Sequence, residues 1–316
     1  MNHEPLSGSI ELRAWRQFAV LAETLHFGRA AARLHMTQPP LTQAIQQLER
    51  RLGVALFVRS KRSVALSAAG EALLAPVQAL LAAAAALPAI ARDAAAGQTG
   101  RLRLAFVSSI GYGPLPRWLR GFREAHPGVT VELREATADV QLPALERGDI
   151  DAGFVLHAPQ AAPAGLAALT VLEEPLVLAL PEAHVLATRA RIASLAALDA
   201  AMAEPLVTIP RAIAPSLHDA ILAGYQRRGL APRIAQEAIQ MQTIVNLVAG
   251  GLGVAWVPAS VSALQRPGVV YRALERSAAA TVSRVQTSLV WRGEPSPALH
   301  HFIAHIERHP AAATRR

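Results

Sequence analysis

The chain is 316 residues long, 52% hydrophobic and free of cysteine, and it carries a formal net charge of +8. That length suits two or three domains with ample buried core, and the absence of cysteine excludes a disulfide scaffold, thiol catalysis and thiolate metal sites. The charge is uneven: residues 1–66 hold nine Lys or Arg against four Glu, so more than half of the surplus sits in about a fifth of the sequence, as nucleic-acid binding through counterion release requires.

The N-terminal run MNHEPLSGSIELRAW lacks a basic region followed by an apolar core. No run of about eighteen apolar residues is expected anywhere, which points to a cytoplasmic protein without a membrane segment. From Phe27 to Gly53 two amphipathic helical patterns meet at a tight corner. Ala30, Ala31 and Leu34 form the apolar face of the first, with Arg29 and Arg33 outside. The corner falls at His35-Met36. Thr37 is expected to cap the second helix through its hydroxyl, with Pro39 and Pro40 in its first turn. Leu41, Ile45, Leu48 and Leu52 follow the 3.6-residue period, which leaves Gln38, Thr42, Gln43, Gln46 and Gln47 outward. Amides and hydroxyls match base edges in a major groove, and no carboxylate interrupts the row before Glu49. Two short strands, Leu56 to Arg59 and Ser63 to Leu66, then enclose a turn carrying Arg59, Lys61 and Arg62, a basic hairpin suited to gripping phosphates. Lys61 is the only lysine; a bias toward Arg accounts for the residue type but not for the clustering.

From Leu12 to Glu71 the chain resembles the winged helix-turn-helix of LysR-type transcriptional regulators, through LRAWRQFAVLAE, RAAARLH, TQPPLTQAIQQLE, LGVALFVRS and LSAAGEALL. The similarity continues more loosely to the C-terminus. Gly28 departs from the pattern, standing where many relatives cap the second helix with Ser or Thr. The resemblance and the residues together give a DNA-contacting set of Thr37, Gln38, Pro39, Pro40, Thr42, Gln43, Gln46, Arg50, Arg59, Lys61 and Arg62. It implies double-stranded operator DNA, a second copy of the chain in a homodimer or homotetramer, and RNA polymerase as partners.

Ala-rich residues 68–96 read as a long linker helix. Leu73, Val77, Leu80, Ala84, Leu87 and Ala91 step by four and three, a short coiled-coil seam. Pro76 and Pro88 argue for bending or early termination. Dimerisation through Leu73, Val77, Leu80, Ala84 and Leu87 rests mainly on the family resemblance.

From Gly100 strands and helices alternate: RLRLAFV, PLPRWLRGFREAHP, VTVELRE, ADVQLPALERG and DIDAGFVL, then, after PLVLALP, a second set through PLVTIP, SLHDAILAGYQRRG, PRIAQEA, MQTIVNLVAGG and LGVAWVP. The spacing implies parallel sheets with crossover helices. The strand from Gln286 to Trp291 and the helix from Pro297 to Arg308 are expected to return to the first lobe. The fold expected is α/β: a winged helix-turn-helix (10–67), a linker helix (68–98) and a two-lobed effector domain of the type 2 periplasmic-binding-protein kind (99–316), with lobe I at 99–180 and 283–316 and lobe II at 181–282.

Open α/β sheets bind ligands at strand C-termini beside helix N-termini, whose free N–H groups favour anions. Ser108 and Ser109 follow the first strand, and Pro215, Ser216 and Leu217 open a second-lobe helix. Together they suit a small carboxylate clamped between lobes. The runs FVSSIGYGPLPRWLRGFREAHPGVTVELREATADVQ and MQTIVNLVAGGLGVAWVPAS resemble the family branch responding to muconate, benzoate and related intermediates of aromatic breakdown. That resemblance implies effector contacts at Ser109, Thr137 with Ala138, and Pro215, Ser216 and Leu217. Ala138 stands where those relatives often place a hydroxyl.

Other features are discounted. Gly250, Gly251 and Gly253 fall at a helix end, where glycine serves as a cap rather than a phosphate cradle. His301, His305 and His309 recur every four residues but lack acidic or thiol partners at ligand spacing, so a solvated face is expected and no metal or other cofactor. With no nucleophile elbow, an enzyme is not expected. An exported solute-binding protein would leave the first sixty residues without a use, and an architectural DNA binder would need no cleft.

Overall fold

The computed structural model describes residues 10–59, 63–275, 279, 282 and 284–311. They fall into two compact units that divide between Arg92 and Asp93.

In the first unit, helices α1 (Leu12–Thr24), α2 (Phe27–Arg33) and α3 (Gln38–Leu52) are followed by an antiparallel ribbon of β1 (Phe57–Arg59) and β2 (Val64–Leu66) and by α4 (Ala68–Ala95). The apolar periodicity of α3 buries Leu41, Ile45 and Leu48 against Phe18 and Leu21 of α1, Ala30 and Ala31 of α2, and Phe57 of the ribbon. Each such aliphatic side chain contributes about 1.5–3 kcal/mol by leaving water. The α2–α3 corner is closed by Met36 N–H donating to the Ala31 carbonyl at 3.0 Å, with His35 in the left-handed region at φ 54°. This is a Schellman-type end made without glycine.

Two capping expectations are corrected. Thr37 occupies the N-cap of α3, but its side chain makes no capping bond, so the two prolines rather than the hydroxyl favour the start. Gly28 is not the cap of α2; His26 is, its Nδ1 accepting from Arg29 N–H at 3.2 Å. Lys61 and Arg62 lie outside the described residues.

Helix α4 does not end at Pro76 or Pro88. The missing N–H of each leaves free the carbonyls of Ala72, which is exposed, and Ala84, which is half-buried, and water can reach both. Ser67 anchors the helix: its hydroxyl accepts from Gly70 N–H and donates to the Ala55 carbonyl. Of the seam, Val77 is buried in the winged core and Leu73 partly so, whereas Leu80 and Leu87 are 46% and 61% exposed. By length and composition alone α4 is apolar enough to cross a bilayer, at a mean hydropathy of 2.0. This corrects the expectation that no such run exists; half of its 28 residues are alanine, which hydropathy counts as apolar although each buries little surface.

The second unit has two lobes. In the first, β3 (Gly100–Phe106) pairs in parallel with β4 (Val129–Glu135) and β5 (Ala152–His157), and β12 (Arg284–Trp291) joins β5 antiparallel. Alternation along β3 sends Leu102 and Leu104 to a face covered by α6 (Leu115–Ala125) and the final helix α11 (Pro297–Arg308), through Trp118, Phe122 and Phe302. It sends Ala105 to the opposite face with Ala144 and Leu145 of α7 (Ala138–Arg147). The 15-residue strand β6 (Ala167–Pro181) continues through both lobes. Its first half pairs with β12 and its second half with β10 (Ala255–Pro258) and β11 (Val269–Leu274). The sheets are therefore mixed rather than wholly parallel, because β12 returns antiparallel, and the crossing lies within one strand. In the second lobe β7 (Arg191–Ile192) pairs in parallel with β11, and β8 (Leu206–Thr208) with β9 (Ile234–Glu237), with α8 (Leu195–Met202), α9 (Pro215–Arg227) and α10 (Met241–Ala249) packed over a core that includes Leu198, Leu217, Ile221, Ile244 and Val248.

At Gly70 an added Cβ would lie 2.2 Å from the Leu56 carbonyl oxygen and 2.8 Å from Leu66 Cδ2. Helix α4 approaches the ribbon that closely because the residue has no side chain. Gly70→Ala is expected to destabilise the winged unit by about 1–3 kcal/mol, read as a lowered thermal transition; an unchanged transition would show that the close packing is dispensable.

Candidate functional site

On α3, Gln38, Pro39, Pro40, Gln43, Gln46, Gln47 and Arg50 are exposed and Thr42 is half-buried. Thr42 donates its hydroxyl to the Gln38 carbonyl at 3.1 Å, which leaves its oxygen free to accept. Gln43, Gln46, Gln47 and Arg50 share one face at helical spacing. Glu49, the single carboxylate of the helix, is turned toward the ribbon. It accepts from Leu56 N–H at 2.9 Å, from Phe57 N–H at 3.1 Å and from Arg59 Nη2 at 2.9 Å. Three donors neutralise it where it would otherwise repel phosphate.

Arg59 is correspondingly occupied: besides Glu49 it lies 5.0 Å from the centre of the Phe27 ring. Its charge is compensated within the protein, so it braces the wing rather than standing free. On α2, Arg33 pairs with Glu23 at 2.7 Å and Arg29 donates to the Thr24 carbonyl. Arg50 joins no ion pair among the described residues.

The second site is a cavity between the lobes of the second unit. Its walls include Ser108, Ser109, Thr137, Ala138 and Leu217, which the sequence singled out, and Val107, Leu156, Ile209, Ile213, Ile239 and Met241, which it did not. Pro215 and Ser216 are not among the lining residues. Instead Ser216 Oγ accepts from Ala158 N–H at 3.2 Å, a tie between the end of β5 and the start of α9. Besides the one-turn helix α5 (Ser108–Gly111), three helices open onto the space: their N-cap residues Thr137, Ala214 and Gln240 line it, and none makes a side-chain capping bond. Free N–H groups at helix starts favour negative charge.

Gln141 holds one wall. Fully buried on α7, it donates to the Ala136 carbonyl at 2.6 Å and to the Phe154 carbonyl at 3.1 Å, fixing the loop that carries Thr137. A Cβ at Gly153 would lie 2.3 Å from its Oε1, so a side chain there would displace this amide. The sequence signal for Gln141 was a polar residue on the buried face of a helix. Across the crossing, Glu174 of β6 is 1% exposed and accepts from the Ser260 N–H and hydroxyl. Burial pushes its carboxyl above the usual range, against the pull of those two bonds.

Gly250 caps α10 and Gly251 follows at φ 80°. His305 is buried against Phe122 rather than solvated, because α11 packs on α6 there, and His301 stacks on His126 at 4.8 Å. No group of three metal-ligating side chains occurs among the described residues.

Residues 12–71 match the family described as bacterial regulatory helix-turn-helix protein, lysR family, and residues 95–311 match the LysR substrate binding domain. The chain is a LysR-type transcriptional regulator. It is 47% identical to the HTH-type transcriptional regulator IlvR of Caulobacter vibrioides over 93% of this chain and 96% of that protein. It is 36% identical to AlsR of Bacillus subtilis over 93% and 94%. Among solved structures, full-length CbnR complexed with its target DNA is 30% identical, with a TM-score of 0.77 over 95% of this chain and 99% of that one. The regulator thus joins a DNA-binding helix-turn-helix to an effector-binding domain, in a family of regulators rather than of enzymes.

Arg59→Ala is expected to lower the thermal stability of the winged unit by about 1 kcal/mol, whereas Arg50→Ala leaves melting unchanged and weakens DNA binding. Reversal of the two phenotypes would mean that Arg59, not Arg50, is the free cation.

Proposed function

We propose that this regulator reads an imperfect inverted repeat as a homodimer or homotetramer and changes its DNA-binding state when a small carboxylate enters the cleft of residues 99–316. Gln38, Thr42, Gln43 and Gln46 read base edges. Thr37, Pro39 and Pro40 present the start of α3 to the duplex, while Arg50 with Lys61 and Arg62 of the wing holds phosphates. The observation that carries this reading is the acid-free face of α3, with Glu49 withdrawn into the ribbon. A relative, CbnR, has been solved on its target DNA.

Pairing uses the linker, 68–98: Leu80, Ala84 and Leu87 meet a second copy, continuous with Leu73 and Val77 at the winged end. The exposure of Leu80, Leu87 and Ile90 supports it. The protein acts in the cytoplasm, at an operon near its own gene, and acts on RNA polymerase there.

In the cleft, Ser108, Ser109, Thr137 and Ala138 on one lobe face the opening turn of α9 on the other. The space is about 430 Å³ with its mouth included, little of it open to water. A ligand of several heavy atoms therefore spreads the lobes, straining the tie between Ala158 and Ser216, and that displacement is the signal.

Gln43→Ala is expected to cost about 1–3 kcal/mol on the cognate repeat and nothing on random duplex, whereas Arg50→Ala weakens both and lowers the salt slope by about one. Titration of a labelled operator and a scrambled duplex at several salt concentrations separates the two. Equal losses from both variants on both duplexes would refute the division of labour.

A further inference from the structure

The cleft's lining selects a class of ligand, given that it is the effector site proposed above. Three uncapped helix starts at Thr137, Ala214 and Gln240 surround it. Ser109 adds a second, independent sign: it is 1% exposed, its hydroxyl bonds nothing in the protein, and it lines the same space. A buried hydroxyl without a partner costs stability, and a carboxylate oxygen would satisfy it.

Among the described residues no Lys, Arg, His, Asp or Glu lines the cavity. One carboxylate can therefore be met by N–H groups and hydroxyls alone, and with no cation in the wall a second is disfavoured beside Ile209, Ile213 and Ile239. The same absence excludes an ammonium group, which needs an acidic partner. Among the described residues no aromatic side chain lines the cavity either, and its apolar walls also include Val107, Leu156, Leu217 and Met241.

We infer that the effector is a short, branched aliphatic monocarboxylate without an amino group. Its carboxylate bonds Ser109 and the helix starts, and its methyl groups fill the aliphatic wall. The muconate-like and benzoate-like classes suggested by the wider resemblance do not suit this lining.

The test is calorimetry and thermal shift on the full-length protein with five probes: isobutyrate, 3-methyl-2-oxobutanoate, benzoate, cis,cis-muconate and L-valine. The two aliphatic acids are expected to bind at least about tenfold more tightly than the other three. Ser109→Ala is expected to weaken them by about tenfold while leaving the ligand-free melting temperature unchanged or raised, since the hydroxyl it removes bonds nothing. Ser109-dependent binding that favours benzoate, muconate or valine overturns the aliphatic class and leaves the cleft as the effector site. Failure of all five to bind, or binding indifferent to Ser109→Ala, overturns the assignment of the cleft as well.

Discussion

A single carboxylate governs what α3 can present. Glu49 lies one helical turn from Gln46 and next to Arg50, so a freely solvated side chain there would put negative charge beside the phosphates of any duplex. Its capture by the Leu56 and Phe57 N–H groups and by Arg59 does two things at once. It begins the β ribbon at a fixed angle to the helix, and it leaves a face of amides, a hydroxyl and Arg50. Fold and recognition thus rest on the same bonds, because the wing is held by the group whose removal from the surface makes the helix compatible with DNA.

The effector unit follows a similar economy. Strand β6 threads both lobes, so the lobes share a backbone, and side chains tie them at Ser216 to Ala158 and Glu174 to Ser260. Helix starts that would normally be capped by their own side chains are left open on the cavity, and Ser109 is left unpartnered beside them. Local satisfaction is given up where a ligand can supply it, and buried amides such as Gln141 keep the loops in place meanwhile.

Much of this was legible in the residues. The 3.6-residue spacing of Leu41, Ile45 and Leu48 gave α3 and its outward face, and the alternation after Gly100 gave most strands and crossover helices. What escaped were features set by contacts distant in sequence. The capping role of His26 depends on how α1 meets α2, whereas the family resemblance pointed to the position of Gly28. The inward turn of Arg59 depends on Glu49 ten residues earlier and on Phe27 across the unit. The antiparallel return of β12 and the continuity of β6 through both lobes are matters of register, to which local patterning is blind. The apolar cleft wall comes from Val107, Ile209, Ile239 and Met241, ordinary core residues in sequence that acquire a role only by converging. Wing residues Lys61 and Arg62 rest on the sequence alone.

The central claim is that the exposed row on α3 distinguishes one base sequence from another. Footprinting the intergenic DNA beside the protein's own gene tests it most directly. The account predicts a protected tract containing an imperfect inverted repeat, still protected at physiological salt where binding to random duplex has been lost. Absence of any protected tract, even at low salt, would contradict it.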